Sequence, residues 1–354
     1  MHSPDKDRFS RQKLEGGDDV GLLRLIERVR LRAEQALGSV PSVVSCYEAG
    51  YDGFWLHRRL ATAGITNLVF DPASIAVDQR ARRAKTDRID GELLLRTLMS
   101  HCRGEPRVVR IVQVPTPEQE DARRMTRERD RLIKEQTAHT NRIKGLLRLQ
   151  GMAAGNPRRR DWLTWLKAQR DRNGDPLGPH LVAELAREHA RLTLVGEQLR
   201  ELSQATEDAP LSAAAAEMAR RSAVLQRLKS LGPAFTGTLT NEVFYKDFHN
   251  RRQVAGYTGL APSPWRSGRT NREQGISKAG NPRARHKAIE LAWLWLQHQP
   301  ESALSRWFHE RTAQGKGRIK RIAIVALARK LIVALWRFLT TGLVPEGAVL
   351  KAAA

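Results

Sequence analysis

Four residues of this chain have the type and the setting for phosphodiester chemistry: Glu48, Asp87, Asp90 and Ser267. Ser267 lies in WRSGR, between Arg266 and Gly268, with Arg269 next in line. A hydroxyl among turn-formers and cations is exposed and sits in a positive field, which suits attack on a phosphodiester. The same Ser-Gly pair is also what an ordinary turn uses. Asp87 and Asp90 follow the basic run RARRAK and open a helical pattern, DRIDGELLLRTLM. Their i, i+3 spacing puts them on one face near its N-terminus. Glu48 closes the apolar run SVVSCY, which reads as a buried strand. Magnesium takes hard oxygen ligands, and two-metal phosphoryl transfer needs several carboxylates converging on one site, a role these three would fill together. Taken singly, Asp87 is an ordinary N-terminal helix acid, and Glu48 and Asp90 read as solvated carboxylates. The histidines show no HxxxH or similar spacing, which argues against a histidine metal site.

The elements that must position these residues fall into three blocks. Val20 to Leu37 has helical periodicity closed by Gly38. Strand Ser42–Tyr47, helix Tyr51–Ala63 and strand Asn67–Phe70 then alternate as an α/β layer, with a further strand expected over Arg107–Val114. Residues 1–19 read as a polar loop or lead-in without an apolar signal core. From Glu118 to Gln150 the pattern is a long charged helix, and a second runs from about Leu181 to Thr206. With the hinge RDRNGDPLGP between them, they predict a long antiparallel coiled-coil arm. LKSLGPAFTGTLTNEV, residues 228–243, reads as a helix, a Gly-Pro turn and a helix. Such a hairpin either offers backbone N–H groups to a phosphate or is a plain helical turn. Ser267 follows in a loop, and AIELAWLWL anchors that loop to a core, with Trp293 and Trp295 expected to be buried. Trp265 is expected to pack, with base stacking as the alternative. A helical pair over residues 300–340 ends the chain.

Charge points to the partner. The chain of 354 residues carries 61 Lys and Arg against 38 Asp and Glu, a formal +23, while its 41% apolar content supports real cores. Such an imbalance opposes compaction unless a polyanion offsets it, so nucleic acid is the expected partner and an anionic membrane surface the weaker alternative. The most lipid-like stretch, Ile319–Leu339, contains Lys320, Arg321, Arg329, Lys330 and Arg337, and is no membrane span. Two cysteines, Cys46 and Cys102, form neither a disulfide framework nor a zinc cluster and suit a reducing cytoplasm. The cationic residues expected to meet nucleic acid are Arg82, Arg83, Lys85, Arg266, Arg269, Arg272, Lys278, Arg283 and Arg285.

Several long motifs carry a family resemblance. CYEAGYDGFWLHRRL and AKTDRIDGELLLRTL, then LGPAFTGTLTNEV, FHNRRQVAGYTGLAPSPWRSGRTNREQGISKAGNPRARHKAIELAWLWL and GRIKRIAIVALARKLIVALWRFL, together resemble the DEDD transposases of bacterial insertion sequences. The class is the "IS one-ten" class, and the subgroup within it the "eleven-eleven" one. The resemblance implies a RuvC-like, ribonuclease H-like α/β nuclease domain over 1–117, a helical arm over 118–227 and a mainly α, serine-bearing transposase domain over 228–345. Carried over residue by residue, it assigns Glu48, Asp87 and Asp90 to the acidic metal-binding tetrad, with Mg2+ as cofactor, two ions being expected. It assigns Ser267 to the nucleophile that forms a covalent protein–DNA intermediate. It also implies a structured guide RNA, a homo-oligomer, element-end and target DNA, and a bacterial cytoplasmic setting. One departure stands out: the family opens on a strand carrying the first Asp, whereas this chain opens on a polar lead-in where Asp5, Asp7, Asp18 and Asp19 lie in non-strand context. The expectation is a nuclease domain lacking its first three strands, and hence either an active recombinase whose start lies upstream or an inactive remnant that only binds nucleic acid. A basic structural protein would explain the charge but not the Glu48, Asp87, Asp90 and Ser267 set.

The charge makes a direct prediction. Affinity for duplex DNA, measured by fluorescence anisotropy, is expected to fall by roughly a thousandfold between 50 and 200 mM salt if about six phosphates are contacted. A flat salt response contradicts the nucleic-acid assignment.

Overall fold

The computed structural model describes residues 1–3, 6–76, 86–208, 213–268, 270–315 and 317–351. The chain divides into two compact units, Met1–Pro115 and Thr116–Ala354.

The first unit opens on strands β1 (His2–Ser3) and β2 (Lys6–Phe9), paired antiparallel. The Ser10 N–H donates to the Met1 carbonyl at 2.9 Å beside this pair. The expected loop is thus partly sheet, and Asp7 stands on a strand after all. Local backbone pairing needs no apolar run, so composition hid it. Helix α1 (Asp19–Leu37) is capped by Asp18, whose side chain accepts from the Gly21 N–H at 2.8 Å, and it ends at Gly38 with φ 69°. Strands β3 (Val44–Glu48) and β4 (Thr66–Phe70) pair in parallel from Val44↔Thr66 to Glu48↔Phe70, joined by helix α2 (Trp55–Thr62). This is the expected strand–helix–strand unit. A polar chain crosses it: the Asn67 amide donates to Ser45 Oγ at 2.9 Å, and Asn67 Oδ1 lies 2.9 Å from His57 Nδ1. Helix α3 (Asp87–Cys102) packs on β3, where the Cys46 thiol donates to the Leu94 carbonyl at 3.7 Å. Burial pushes that thiol up to about 12, so Cys46 is an inert packing residue.

The strand expected over Arg107–Val114 is reduced to one antiparallel bridge, Phe70↔Ile111. Arg107 at φ 61° leaves extended conformation and shortens the run. Among the described residues β3 pairs with no strand but β4. A cavity of about 400 Å3 lies between α1, β3 and α3, lined among others by Leu22, Ile26, Cys46, Leu94 and Leu98.

The second unit begins with helix α4 (Pro117–Leu149), opened by a capping box in which Thr116 and Gln119 satisfy each other's backbone N–H. Helix α6 (Pro179–Asp208) packs along α4 in the opposite direction, since His139 meets Glu188 at 2.7 Å and Arg142 meets Glu184 at 2.6 Å. Short helix α5 (Trp162–Lys167) closes the pair over Ile143, Leu147 and Leu185, and the Trp162 ring stacks on His189 at 5.0 Å. The expected hinge is a fixed turn: Asp171 Oδ1 accepts from the Asn173 and Asp175 N–H groups, and Arg170 bridges to Pro176.

Helices α7 (Ala213–Gln226) and α8 (Pro233–Glu242) flank the Gly-Pro turn. Leu228, expected within helix, instead bridges to Leu350. Helix α9 (Arg251–Tyr257), strands β5 (Pro262–Ser267) and β6 (Thr270–Ile276), and helices α10 (Pro282–His298), α11 (Ala303–Thr312) and α12 (Gly317–Thr341) complete the unit. Its core centres on α10 against α12, with Leu291, Trp295, Leu327, Leu331 and Leu335 buried. The Trp295 indole donates to Ser302 Oγ at 2.8 Å. Trp293, expected in the core, is 48% exposed, because two residues along a helix is more than half a turn. Among the described residues no helix is long and apolar enough to cross a membrane.

Candidate active site

Ser267 ends β5 in an antiparallel ribbon rather than in the loop expected for it. The register runs Pro264↔Glu273, Trp265↔Arg272, Arg266↔Asn271 and Ser267↔Thr270. Gly268, at φ 55°, takes the left-handed conformation a tight hairpin requires. Ser267 and Gly268 are exposed at the tip. Arg269, together with Arg82, Arg83 and Lys85, lies outside the described residues, and for Arg266 and Arg272 only the backbone is described.

The base of the ribbon is fixed by backbone bonds. The Ser277 N–H donates to Ala261 at 2.8 Å, Lys278 to Gly259 at 3.1 Å and Asn281 to Tyr257 at 2.7 Å. Gly280 permits this approach, because at φ 138° a Cβ there would stand 2.4 Å from the Tyr257 carbonyl oxygen. Of the cations expected to contact nucleic acid, Lys278 is exposed here, while its carbonyl accepts from Arg285 Nη1 at 2.9 Å. Arg283 braces the fold by pairing with Asp130 at 3.1 Å, so its charge is already engaged within the chain.

Beneath the ribbon lies a charged group that sequence reasoning missed. The Glu242 side chain is 2% exposed. It accepts from Arg127 Nε at 2.7 Å and Nη2 at 3.1 Å, and from the Asn281 amide at 2.9 Å. The same Asn281 amide donates to the Glu242 carbonyl at 3.2 Å, and its Oδ1 caps α10 by accepting from the Arg283 and Ala284 N–H groups. Burial pushes the Glu242 carboxyl up, but the Arg127 and Asn281 hydrogen bonds outweigh it and hold the group below its ordinary 4.5. Arg123, beside it, donates to the Asn241 carbonyl at 2.9 Å and covers the Tyr245 ring at 4.0 Å, and its Nη2 is buried with no hydrogen-bond partner among the described residues. The Tyr245 and Tyr257 hydroxyls meet at 3.2 Å, and burial raises Tyr257. Helices α4, α8 and α10 are therefore tied at one point, directly at the foot of the ribbon. The only sequence signal was a glutamate closing the otherwise neutral PAFTGTLTNE helix.

In the first unit, Glu48 is exposed at the last position of β3. Asp87 and Asp90 occupy the first turn of α3, capped by Thr86 through the Ile89 N–H at 3.3 Å. Residues 87, 90 and 94 share a helix face, and Leu94 is where that face meets β3. Among the described residues no three His, Cys, Asp or Glu side chains gather closely enough to hold one ion. Glu48, Asp87 and Asp90 stand at element ends and are not gathered into such a group among the described residues.

The Glu242 group predicts a measurable pH dependence. A folded-state pKa below 4.5 contributes stability that is present at neutral pH and is lost as pH falls through the depressed value. Glu242→Gln is expected to lower stability in urea at pH 7 by about 1–3 kcal/mol, and the gap from the parent should close in acid. A gap unchanged from neutral pH to acid would show that Glu242 acts by shape alone.

With this geometry in place, comparison with known proteins is informative. The family described as "Transposase IS116/IS110/IS902 family" matches residues 222–307, which include Glu242, the ribbon and Asn281. The DEDD transposase model of IS110, described as "Transposase", matches residues 4–151, which include Glu48, Asp87 and Asp90. A putative transposase, y4rJ, of Sinorhizobium fredii is 47% identical over 98% of this chain and 89% of its own length. The transposase for insertion sequence element IS1111A of Coxiella burnetii is 27% identical over 92% of this chain and 85% of its own length. The chain belongs to the IS110 family of insertion-sequence transposases.

Proposed function

We propose that this transposase breaks and rejoins DNA through Ser267. Attack of Oγ on phosphorus forms the serine–phosphate ester and releases a deoxyribose hydroxyl, which takes up the proton the serine gives away. Attack by a second deoxyribose hydroxyl then reverses the exchange on a new strand. One phosphoester bond is made for each broken, so no external energy source is needed. The observation that carries this reading is the exposed Ser267 hydroxyl at the tip of a ribbon whose foot is held rigidly by the Asn281 and Glu242 contacts. Fixed geometry is what lets a weak nucleophile meet a phosphodiester productively.

Element-end and target DNA are the substrates in this reading. A structured guide RNA is a partner and a homo-oligomer the working form, with the +23 charge as the support for a second polyanion. Glu48, Asp87 and Asp90 are the candidate Mg2+ carboxylates. As they stand they do not form an ion-holding group among the described residues, so no step is derived through a metal. A second reading is a nucleic-acid binder without cleavage.

Denaturing electrophoresis separates the two readings. The full chain, with Mg2+, element-end DNA and its flanking RNA, is expected to yield a protein–DNA adduct that Ser267→Ala loses while retaining DNA binding. An adduct that survives Ser267→Ala overturns the serine assignment, and no adduct with binding intact selects the second reading. Asp87→Ala and Asp90→Ala are each expected to abolish adduct formation at a cost below about 1 kcal/mol in stability, because acids in the first turn of a helix that are not fully buried seldom hold a fold. Thermal unfolding of either variant well below the parent would make these acids structural.

A further inference from the structure

Trp265 lies two residues before Ser267 on β5 and is 55% exposed. Alternate residues of a strand share a face, so the indole and the hydroxyl stand on the same side of the ribbon, roughly 7 Å apart along it. The pairing Trp265↔Arg272 and Ser267↔Thr270 fixes this register. Packing is the ordinary fate of a tryptophan, and the second unit provides for its others: Trp162 and Trp295 are buried, Trp165, Trp307 and Trp336 pack against hydrophobic cores, and Trp293 meets Phe308 edge-on at 6.2 Å. The ribbon does seat one apolar residue on the core, Ile276 at its base. Trp265, further toward the tip, is held out with Ser267.

A large flat aromatic beside a phosphate-seeking hydroxyl, on a chain of charge +23, matches the chemistry of a nucleotide with its base free. We propose that Trp265 is a base-binding position that stacks on an unpaired nucleobase next to the phosphodiester presented to Ser267. Bases within a duplex offer their faces only to one another. The ligand class is therefore DNA whose strand is locally opened at the scissile point. The inference rests on the ribbon being the surface that meets DNA, as the serine reading requires. It adds that the substrate is unstacked there, and that recognition at this point is by ring face rather than by base edge, hence tolerant of sequence.

The test is equilibrium binding of the full chain to a single-stranded oligothymidine carrying one 2-aminopurine, beside a duplex of the same length. Trp265→Ala is expected to weaken single-strand binding by roughly tenfold or more and to lose the stacking quench of the 2-aminopurine, with duplex affinity unchanged. Trp265→Phe should restore most of both. Equal affinity of Trp265→Ala and the parent for the single strand, or an equal loss on single strand and duplex, overturns the proposal. The readout needs no cleavage. A quench that depends on Trp265 therefore supports base stacking even if no serine adduct forms, and an adduct dependent on Ser267 without such a quench leaves the serine reading standing alone.

Discussion

The Glu242 carboxylate, 2% exposed, is the constraint on which the second unit depends. A carboxylate withdrawn from water is unfavourable by several kcal/mol unless hydrogen bonds and a counter-charge replace what water supplied. Here the guanidinium of Arg127 comes from α4 and the amide of Asn281 from the start of α10, while Glu242 itself ends α8. Satisfying one buried charge therefore brings three helices to one place. Arg127 remains 47% exposed on its outer side, which limits the desolvation that the pair incurs. Asn281 also joins the charge to the backbone, since its other amide atom caps α10 and its N–H reaches Tyr257. The foot of the ribbon inherits its position from this knot, and Ser267 inherits its position from the ribbon.

The two units use their acids differently. In the second unit an acid is buried and paired, which serves structure. In the first, Glu48, Asp87 and Asp90 sit at the ends of β3 and α3. Repulsion among carboxylates opposes their gathering until a cation or a basic partner supplies the charge.

Much of this was legible in the amino-acid sequence, for identifiable reasons. Helices α4, α6 and α12 announce themselves because a long 3.6-residue periodicity survives many substitutions. The β3–α2–β4 unit is legible from alternating short apolar runs and glycine stops. The ribbon was not. Pro262 and Pro264 in β5 argue against a strand, and they are accommodated by an irregular register between them. The arginines around Ser267 carry no alternation, so the segment read as a loop even though Gly268 marked the turn. Trp293 and Trp295 read alike in AWLWL, and only the direction of α10 against α12 separates the exposed one from the buried one. The Glu242–Arg127 pair spans 115 residues of chain, and neither partner signals the other locally. Ser267 stands out as a candidate because its neighbours in WRSGR are local, whereas the Glu242 group was missed because its contacts are tertiary.

The central claim is that the hydroxyl at the ribbon tip is the atom that joins DNA. The most direct measurement is peptide mapping by mass spectrometry of the trapped protein–DNA species after nuclease digestion. The account predicts a nucleotide remnant on the peptide containing Ser267, attached at that residue. A remnant on any other residue, or a trapped species whose Ser267 is unmodified, would contradict it.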